Sequence, residues 1–476
     1  MNSKTSRTLD LLRRFESRNV TFVEPDGSWP IVWERARGVQ VWDAEGKRYL
    51  DLTAAFGVAA TGHANPRVVR AGQTQMARLL HAMGDVHPHR LKAELARELS
   101  RITFERWTNP KPEAGSQKPE ARDRKSEIRN PKSEIGIPRS AFCVPRCEAG
   151  GARGKTLFCN SGFESVEAAL KTALLATGRS GVLAFEGAYH GLGYGALNAT
   201  HRAFFRSPFR PQLAEFAHFA PFPTAAAECR PALSGVERLL RRQRIGAVLV
   251  EPVQGRGGIR VPPRGFLTGL RRLCDERGAL LVLDEIYTGL GRTGKWFACE
   301  REGVVPDVIC LGKALTGGFP LSACVGRADL MDAAWPASTG EAMHTSTFLG
   351  HPVGCAMALA QIEEIRRLRL VNRSARLGRV LLDRLRSFRA PRSAFRVSAR
   401  GLGLMAGLEV RQVDGSPATE LVLQATKQML RRGFILLPEG EHSHVIGFTP
   451  PLTISERDLS RALTALADVL EGLARA

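Results

Sequence analysis

The sequence predicts an α/β protein in which a large domain is built on a mostly parallel central sheet and a smaller domain is of the α+β type. The first observation is a set of three short apolar runs, at 247–250, 279–283 and 306–312, without regular alternation of polar residues. Such runs are typical of parallel strands that are covered on both faces. The second observation is the C-terminal part, where strand-like runs alternate with a helical segment at 419–431, as in an α+β domain.

Each of the three apolar runs leads into a chemically active side chain. These side chains are Glu251, Asp284 and Lys313, and a helical segment at 266–278 separates the first two runs. In open parallel sheets, ligands bind beyond the carboxyl ends of the strands. We therefore expect the three side chains to point into one crevice.

A lysine that shares a crevice with an aspartate is suited to one kind of cofactor chemistry. The amine of Lys313 can condense with an aldehyde as a Schiff base, and the carboxylate of Asp284 can keep the ring nitrogen of pyridoxal 5'-phosphate protonated. The alternative is a structural ion pair, or a solvated lysine at a strand end. Spacing alone does not separate these interpretations, because structural ion pairs also occupy clefts.

Two longer segments carry a resemblance to a known family. Residues 284–294 read DEIYTGLGRTG and residues 311–322 read LGKALTGGFPLS. These segments closely resemble the signature of the class III aminotransferases, which use pyridoxal phosphate and include enzymes for ω-amino donors. The resemblance extends over nearly the whole chain and is interrupted by one insertion.

The resemblance implies fold type I of the pyridoxal-phosphate transferases and a ping-pong transamination. An amino group would move from an amino acid or ω-amino donor to a 2-oxo acid, with Lys313 forming the Schiff base and Asp284 facing the ring nitrogen. An isomerase of the same fold, an aminomutase or racemase, is the alternative. A requirement for a 2-oxo acid acceptor separates the two activities.

The chain has 476 residues, enough for one large and one smaller domain. We assign 1–70 to an N-terminal segment of the small domain, 71–345 to the large cofactor-binding domain and 346–476 to the C-terminal small domain. The net charge is +21, but the arginines are scattered and no zinc or helix-turn-helix pattern accompanies them. We therefore expect no nucleic-acid partner.

Several features predict a cytoplasmic protein. The first 19 residues are polar and charged, and no apolar run reaches the length of a membrane span. Nine cysteines without regular spacing are typical of free thiols in a reducing compartment. We expect no membrane association.

An insertion at about 109–153 differs in character from the rest of the chain. It is basic and rich in proline, and the tetrapeptide Lys-Ser-Glu-Ile occurs at 125–128 and again at 132–135. Low hydrophobicity and high charge do not offset the entropy of ordering. We expect a disordered surface loop without a chemical role.

The next strand and helix contain a candidate phosphate site. A strand at 156–160 leads into Ser161, Gly162 and Phe163, where a helix begins. A helix N-terminus offers free N–H groups to an anion, but Ser161 with Glu164 also fits a simple capping box. The resemblance favours Ser161, Gly162 and the backbone of Phe163 as phosphate ligands, although a small residue or threonine is usual in place of Phe163.

The resemblance also implies four further contacts to the cofactor. Tyr189 matches an aromatic residue that stacks on the pyridine ring, and His190 is its neighbour. Tyr287 stands where a glutamine commonly contacts the cofactor hydroxyl. Thr347 matches a threonine that reaches the cofactor phosphate of a neighbouring subunit, which implies a homodimer with shared active sites. Glu251 completes the expected cofactor-binding set.

Three residues are candidates for substrate recognition by the same resemblance. Phe56 follows a predicted hairpin at 39–52, and Arg400 matches an arginine that binds the substrate α-carboxylate. Arg256 stands where ornithine-handling enzymes have a glutamate. We expect Arg256 and Arg400 to form a doubly cationic pocket that favours dicarboxylates over basic donors. The alternative is an Arg256 that points outward on a mobile loop and does not contact the substrate.

Overall fold

The computed structural model of the protein describes residues 3–25, 27–108, 153–388 and 394–475. Fifteen strands form three sheets in these residues. The strands are β1 Trp33–Arg37, β2 Gln40–Asp43, β3 Arg48–Asp51, β4 Gly154–Cys159, β5 Gly181–Phe185, β6 Ala217–Ala220, β7 Ile245–Val250, β8 Leu280–Asp284, β9 Val308–Leu311, β10 Ser322–Arg327, β11 Arg396–Leu402, β12 Met405–Arg411, β13 Phe434–Ile435, β14 Leu437–Glu439 and β15 Val445–Phe448.

Fifteen α-helices accompany the strands in the described part of the chain. They are α1 Lys4–Phe15, α2 Ala54–Gly57, α3 Pro66–Arg78, α4 Arg90–Ile102, α5 Phe104–Thr108, α6 Gly162–Thr177, α7 Tyr194–Ala199, α8 Ala203–Arg206, α9 Ala226–Arg242, α10 Phe266–Arg277, α11 Ala328–Ala334, α12 Pro352–Arg367, α13 Leu370–Arg386, α14 Thr419–Arg431 and α15 Glu456–Arg475. None of these helices is long and apolar enough to cross a membrane.

The central sheet has seven strands in the order β4-β10-β9-β8-β7-β5-β6. Only β10 runs against its two neighbours, and the other pairings are parallel. Every residue of β5, β7 and β9 is buried. Alternate residues of these strands belong to two different apolar clusters, so both faces of the sheet are covered. This explains the apolar runs and confirms the predicted α/β class with a mostly parallel sheet.

Two smaller sheets lie beside the central one. The hairpin of β2 and β3 forms as predicted, and β13 adds to β3 in parallel, so a strand from the C-terminal part completes the N-terminal sheet. The third sheet has the order β11-β12-β15-β14. The pairing of β13 with β3 supports the proposal that segments 1–70 and 346–476 belong to one small domain.

Two sequence predictions need comment. The helical, arginine-rich stretch at 356–385 forms two helices, α12 and α13, which are separated at Arg369 by a left-handed backbone with φ of 50°. The insertion at 109–153 lies almost wholly outside the described residues. The prediction that it is a disordered loop therefore stays a prediction.

Candidate active site

The three residues predicted to share a crevice do lie together at the edge of the central sheet. Strands β7, β8 and β9 are adjacent and parallel, so Glu251, Asp284 and Lys313 follow the same ends of neighbouring strands. Burial lowers the pKa of Lys313, and the nearby carboxylates of Asp284 and Glu251 oppose this shift. The lysine is thus a partly desolvated amine that faces two acids.

Lys313 has a strained backbone. Its φ is 35°, in the left-handed region that non-glycine residues rarely adopt, at a cost of roughly 1–3 kcal/mol. Its Nζ lies 4.4 Å from the centre of the Tyr287 ring, within the range of a cation–π contact. Strain of this kind is concentrated at functional sites, which supports a chemical role for the lysine.

Asp284 is held in place by two hydrogen bonds. Its Oδ2 atom lies 2.8 Å from Nδ1 of His190, and its Oδ1 atom accepts a bond from the backbone N–H of Ile286 at 3.1 Å. Thr200 accepts a bond from the backbone N–H of His190 at 2.9 Å. Nε2 of the buried His190 has no hydrogen-bond partner among the described residues. The carboxylate is therefore fixed in a dry position that suits the partner of a ring nitrogen.

Glu251 connects two loops of the site. Its two carboxylate oxygens accept hydrogen bonds from the backbone N–H groups of Tyr189 and Gly255, each at 3.0 Å. Burial raises the pKa of Glu251, and the charge of Asp284 adds to this effect while that of His190 opposes it. Glu251 therefore positions the Tyr189 turn, and both of its carboxylate oxygens already have hydrogen-bond partners.

The N-terminus of α6 offers a place for a phosphate. Ser161 is the N-cap residue, but its side chain makes no capping hydrogen bond, and its buried Oγ atom has no partner among the described residues. Glu164 bonds instead to the N–H of Asn160 at 2.8 Å. The capping-box interpretation is therefore wrong, and an unpaired hydroxyl beside free helix N–H groups fits an anionic ligand.

Close packing brings this helix start near Lys313. A Cβ atom added to Gly162 would lie 3.1 Å from the Ile286 side chain, and one added to Gly312 would lie 3.2 Å from it. The Phe163 ring packs over Gly191 and Gly193 instead of turning into the crevice. Its backbone N–H, as predicted from the sequence, is the part of Phe163 that remains for a phosphate.

The two tyrosines of the site have different surroundings. Tyr189 contacts Phe205 edge-on, with ring centres 5.5 Å apart. Burial raises the pKa of Tyr189, and the positive charge of Arg256 opposes this shift. The hydroxyl of Tyr287 lies 3.1 Å from Oγ1 of Thr449. The phenol therefore already has a protein partner, and only its second hydrogen-bonding position remains for a cofactor hydroxyl.

Phe56 lies on an unusual turn at the mouth of the site. Ala54, Ala55 and Phe56 all have positive φ angles, between 48° and 61°. The buried carboxylate of Asp51 stabilises the turn by accepting bonds from the N–H and hydroxyl of Thr53 and from the N–H of Ala55. The Phe56 side chain is 51% exposed and is available to a substrate or a second subunit.

Acidic residues lie beside both arginines of the expected doubly cationic pocket. Arg400 makes an ion pair of 3.0 Å with Glu409 and donates to the carbonyl oxygens of Gly258 and Ile259. Arg256 lies 3.8 Å from a carboxylate oxygen of Glu439. Arg400 is thus paired with Glu409, whereas Arg256 is only loosely associated with Glu439. The selection of dicarboxylates by the two arginines stays a prediction.

Arg400 nevertheless keeps some binding capacity. A guanidinium has five N–H groups, and the bonds of Arg400 leave one on each terminal nitrogen without a partner among the described residues. Its role as a carboxylate ligand therefore stays a prediction.

Thr347 is exposed in the isolated chain. The neighbouring Thr345 donates to Asp85 at 2.6 Å, and Ser346 accepts a bond of 3.4 Å from the side chain of Asn160. The loop of Thr347 thus lies beside the Ser161 turn. Its predicted contact with a second subunit stays a prediction.

Comparison with known proteins places this geometry in a family. The model of the class III aminotransferases matches residues 22–111 and 146–470, and the unmatched stretch coincides with the insertion. A 5-aminovalerate aminotransferase of Pseudomonas aeruginosa is 34% identical, with 94% of each chain covered. A putrescine aminotransferase of Pectobacterium atrosepticum is also 34% identical over 95% of this chain and 85% of its own.

The solved structures agree with this assignment. An ornithine aminotransferase of Toxoplasma gondii superposes with a TM-score of 0.78 at 25% identity, and 98% of this chain and 94% of that chain are covered. Fold and site together define a pyridoxal-phosphate-dependent transferase of fold type I. More particularly, the chain belongs to the class III aminotransferases, and its reaction is transamination with pyridoxal phosphate.

Proposed function

We propose that Lys313 and Asp284 are the catalytic residues of this aminotransferase. The observation that carries the proposal is their position at neighbouring strand ends, beside the unpaired hydroxyl of Ser161. When bound, pyridoxal phosphate supplies an aldehyde that condenses with amines and a protonated ring that withdraws electrons. The amine of Lys313 binds the aldehyde, and the carboxylate of Asp284 holds the proton on the ring nitrogen.

Lys313 also moves the proton of the reaction. With an amino donor bound, the free amine of Lys313 would accept the proton from the donor carbon and return it on the cofactor side. The lowered pKa of Lys313 favours this role, because a base works best when its pKa is near the working pH. The 2-oxo acid then reacts in the second half of a ping-pong cycle.

The phosphate and the ring have separate ligands in this proposal. Ser161, Gly162 and the N–H of Phe163 bind the phosphate, and Tyr189 lies against the ring. His190 and Glu251 hold Asp284 and the Tyr189 turn in position. Tyr287 contacts the ring hydroxyl, Arg400 binds a carboxylate of the substrate, and Phe56 lines the entrance.

We further propose a homodimer in which Thr347 binds the phosphate in the partner subunit's site. Exposed apolar side chains surround the Thr347 loop, which supports this arrangement. Phe348 is 54% exposed and contacts His81 edge-on. Met83 and Val86, which follow His81 in the sequence, are also exposed. Buried contact with a second copy would remove this surface from water. A solution mass of one chain by sedimentation would contradict it.

A cytoplasmic location completes the proposal. The seven cysteines in the described residues are free, as expected in a reducing compartment.

Replacement of Lys313 tests the catalytic assignment. We expect Lys313→Ala to lose detectable turnover with an amino donor and a 2-oxo acid, and to lose the visible absorbance of cofactor joined to lysine. Lys155→Ala, at an exposed lysine on β4, is the matched control and should retain both. Turnover of Lys313→Ala at the wild-type rate would show that another group provides the amine.

A further inference from the structure

A buried carboxylate, Glu439, lies in the active site without a role in the chemistry described so far. It is the last residue of β14, and Gly447 lies on the paired strand β15. A Cβ atom added to Gly447 would come within 2.9 Å of the Glu439 side chain. The absence of a side chain at Gly447 is therefore what makes room for the glutamate.

Glu439 is buried but incompletely paired. The residue is 5% exposed, and its Oε2 atom has no hydrogen-bond partner among the described residues. Burial raises its pKa to about 7, against the charges of Arg256 and Lys313, with smaller effects of Glu251 and Arg202. A buried carboxylate oxygen without a donor is costly, so this atom is ready to accept a hydrogen bond from a ligand.

Arg256 is a poor counter-ion for this carboxylate. Its Nε atom is 3.8 Å from Oε2 of Glu439, beyond hydrogen-bond distance, and Nε itself is without a partner among the described residues. Its side chain is 39% exposed and lies over the Tyr189 ring at 5.7 Å. The cation therefore has access to solvent, whereas the carboxylate is enclosed by the protein.

We propose that Glu439 selects the charge at the far end of the amino donor by binding a distal ammonium group, which displaces Arg256. The inference rests on the proposed function, because it requires that the reacting amine of the donor lies at Lys313. Glu439 lies beside Arg256, the preceding Gly255 packs on the Tyr287 ring, and this ring lies 4.4 Å from Nζ of Lys313. Glu439 and Lys313 therefore border the same pocket. The donor class is diamines and amino compounds with a second cationic group.

The opposite charge is disfavoured at this end of the pocket. A distal carboxylate would meet the fixed charge of Glu439 at close range, and like charges in a dry site repel strongly. Arg256 attracts such a group only from its more exposed position. The pocket therefore discriminates against the dicarboxylates that the sequence alone predicted as favoured.

Three donors of equal length test the selection. Butane-1,4-diamine, butylamine and 4-aminobutyrate present the same reacting amine with a cationic, neutral or anionic far end. We expect the wild-type holoenzyme to use the diamine with a kcat/KM about tenfold or more above that of butylamine. Glu439→Gln should reduce this ratio to about one. Both donors are compared in the same variant, so a change in the rate at Lys313 affects both and leaves the ratio unchanged. Glu441→Gln, an exposed glutamate two residues further on, is the matched control and should keep the wild-type ratio.

A binding measurement separates this inference from the proposed function. N,N-Dimethylbutylamine is cationic at neutral pH but, as a tertiary amine, cannot condense with the cofactor aldehyde. Calorimetry should show that Glu439→Gln weakens its binding to the holoenzyme about tenfold or more, while Glu441→Gln does not. Equal binding by wild type and Glu439→Gln, or an unchanged donor ratio, overturns the role of Glu439. A wild-type protein that binds this amine through Glu439 but transfers no amino group overturns the proposed function instead.

Discussion

Asp284 differs from an ordinary buried acid in that both of its oxygens have partners and its neighbour His190 is itself held by Thr200. We expect Asp284→Asn to retain the cofactor but to lower kcat by more than tenfold, because an amide does not stabilise a protonated ring nitrogen as a charge does. Cofactor content by absorbance and steady-state rates measure the two effects.

Asp332→Asn, at an exposed aspartate on α11, is the control for this substitution and should leave both quantities unchanged. A fall in kcat of less than about tenfold, which corresponds to about 1.4 kcal/mol of barrier, would show that Asp284 does not face the ring nitrogen.

Residues that follow parallel strands were predictable, and residues held by tertiary contacts were not. The strand-end rule brought Glu251, Asp284 and Lys313 together because parallel strands end at the same edge of a sheet. Ser161 was ambiguous, since capping and ligand binding use the same residue types, and the unpaired hydroxyl appears only in three dimensions. Glu439 was missed because no spacing relates it to Lys313.

One sequence signal for Glu439 was available. Glu439 follows an apolar stretch, Phe434 to Pro438, and precedes Gly440. A charged residue at the end of a buried strand is a candidate ligand. Its importance depends on Gly447, eight positions later, which the structure brings beside it. Pairing of β14 with β15 creates this relation, and sequence alone does not give the register.

At the level of elements, the site depends on how closely the turn at α2 approaches the loop after β8. A Cβ atom added to Gly57 would lie 2.5 Å from Cε2 of the Tyr287 ring. One added to Gly255 would lie 2.4 Å from Cδ1, on the opposite edge of the same ring. The phenol ring therefore packs directly on backbone at both glycines. This arrangement fixes the Tyr287 ring next to Lys313.

Gly57→Ala should therefore lower the free energy of unfolding by about 1–3 kcal/mol more than backbone strain alone, through overpacking against Tyr287. Gly303→Ala is a matched control, because Gly303 also has a positive φ and an added Cβ there has no neighbour within 4 Å. Thermal or denaturant unfolding of both variants measures the difference. Equal stability of the two variants would show that Tyr287 moves aside without cost.

The break between α12 and α13 illustrates a limit of helix prediction. Both halves have apolar periodicity, and neither glycine nor proline separates them. Arg369 adopts the left-handed conformation because the chain turns to pack α13 against β11 and β12. Tertiary packing overrides local preference here, so no local sequence signal marks the end of the first helix.

For the molecule as a whole, the N-terminal and C-terminal segments meet in one sheet through β3 and β13, and the carboxyl edge of the central sheet carries the site. The backbone N–H of Gly440, after β14, donates a hydrogen bond of 3.1 Å to the carbonyl oxygen of Arg256, on the loop after β7. This contact brings a C-terminal strand to the site formed by the large sheet. The proposed charge selection by Glu439 and the proposed chemistry at Lys313 thus involve distant parts of the sequence.

Borohydride reduction of the intact holoenzyme tests the central claim, that Lys313 is the amine that holds the cofactor, most directly. Reduction makes the bond between cofactor and lysine permanent, and digestion followed by mass spectrometry locates it. We predict the modification on the peptide that contains Lys313 and on no other lysine peptide. Modification of a different lysine, or none in protein whose absorbance shows bound cofactor, would contradict the account.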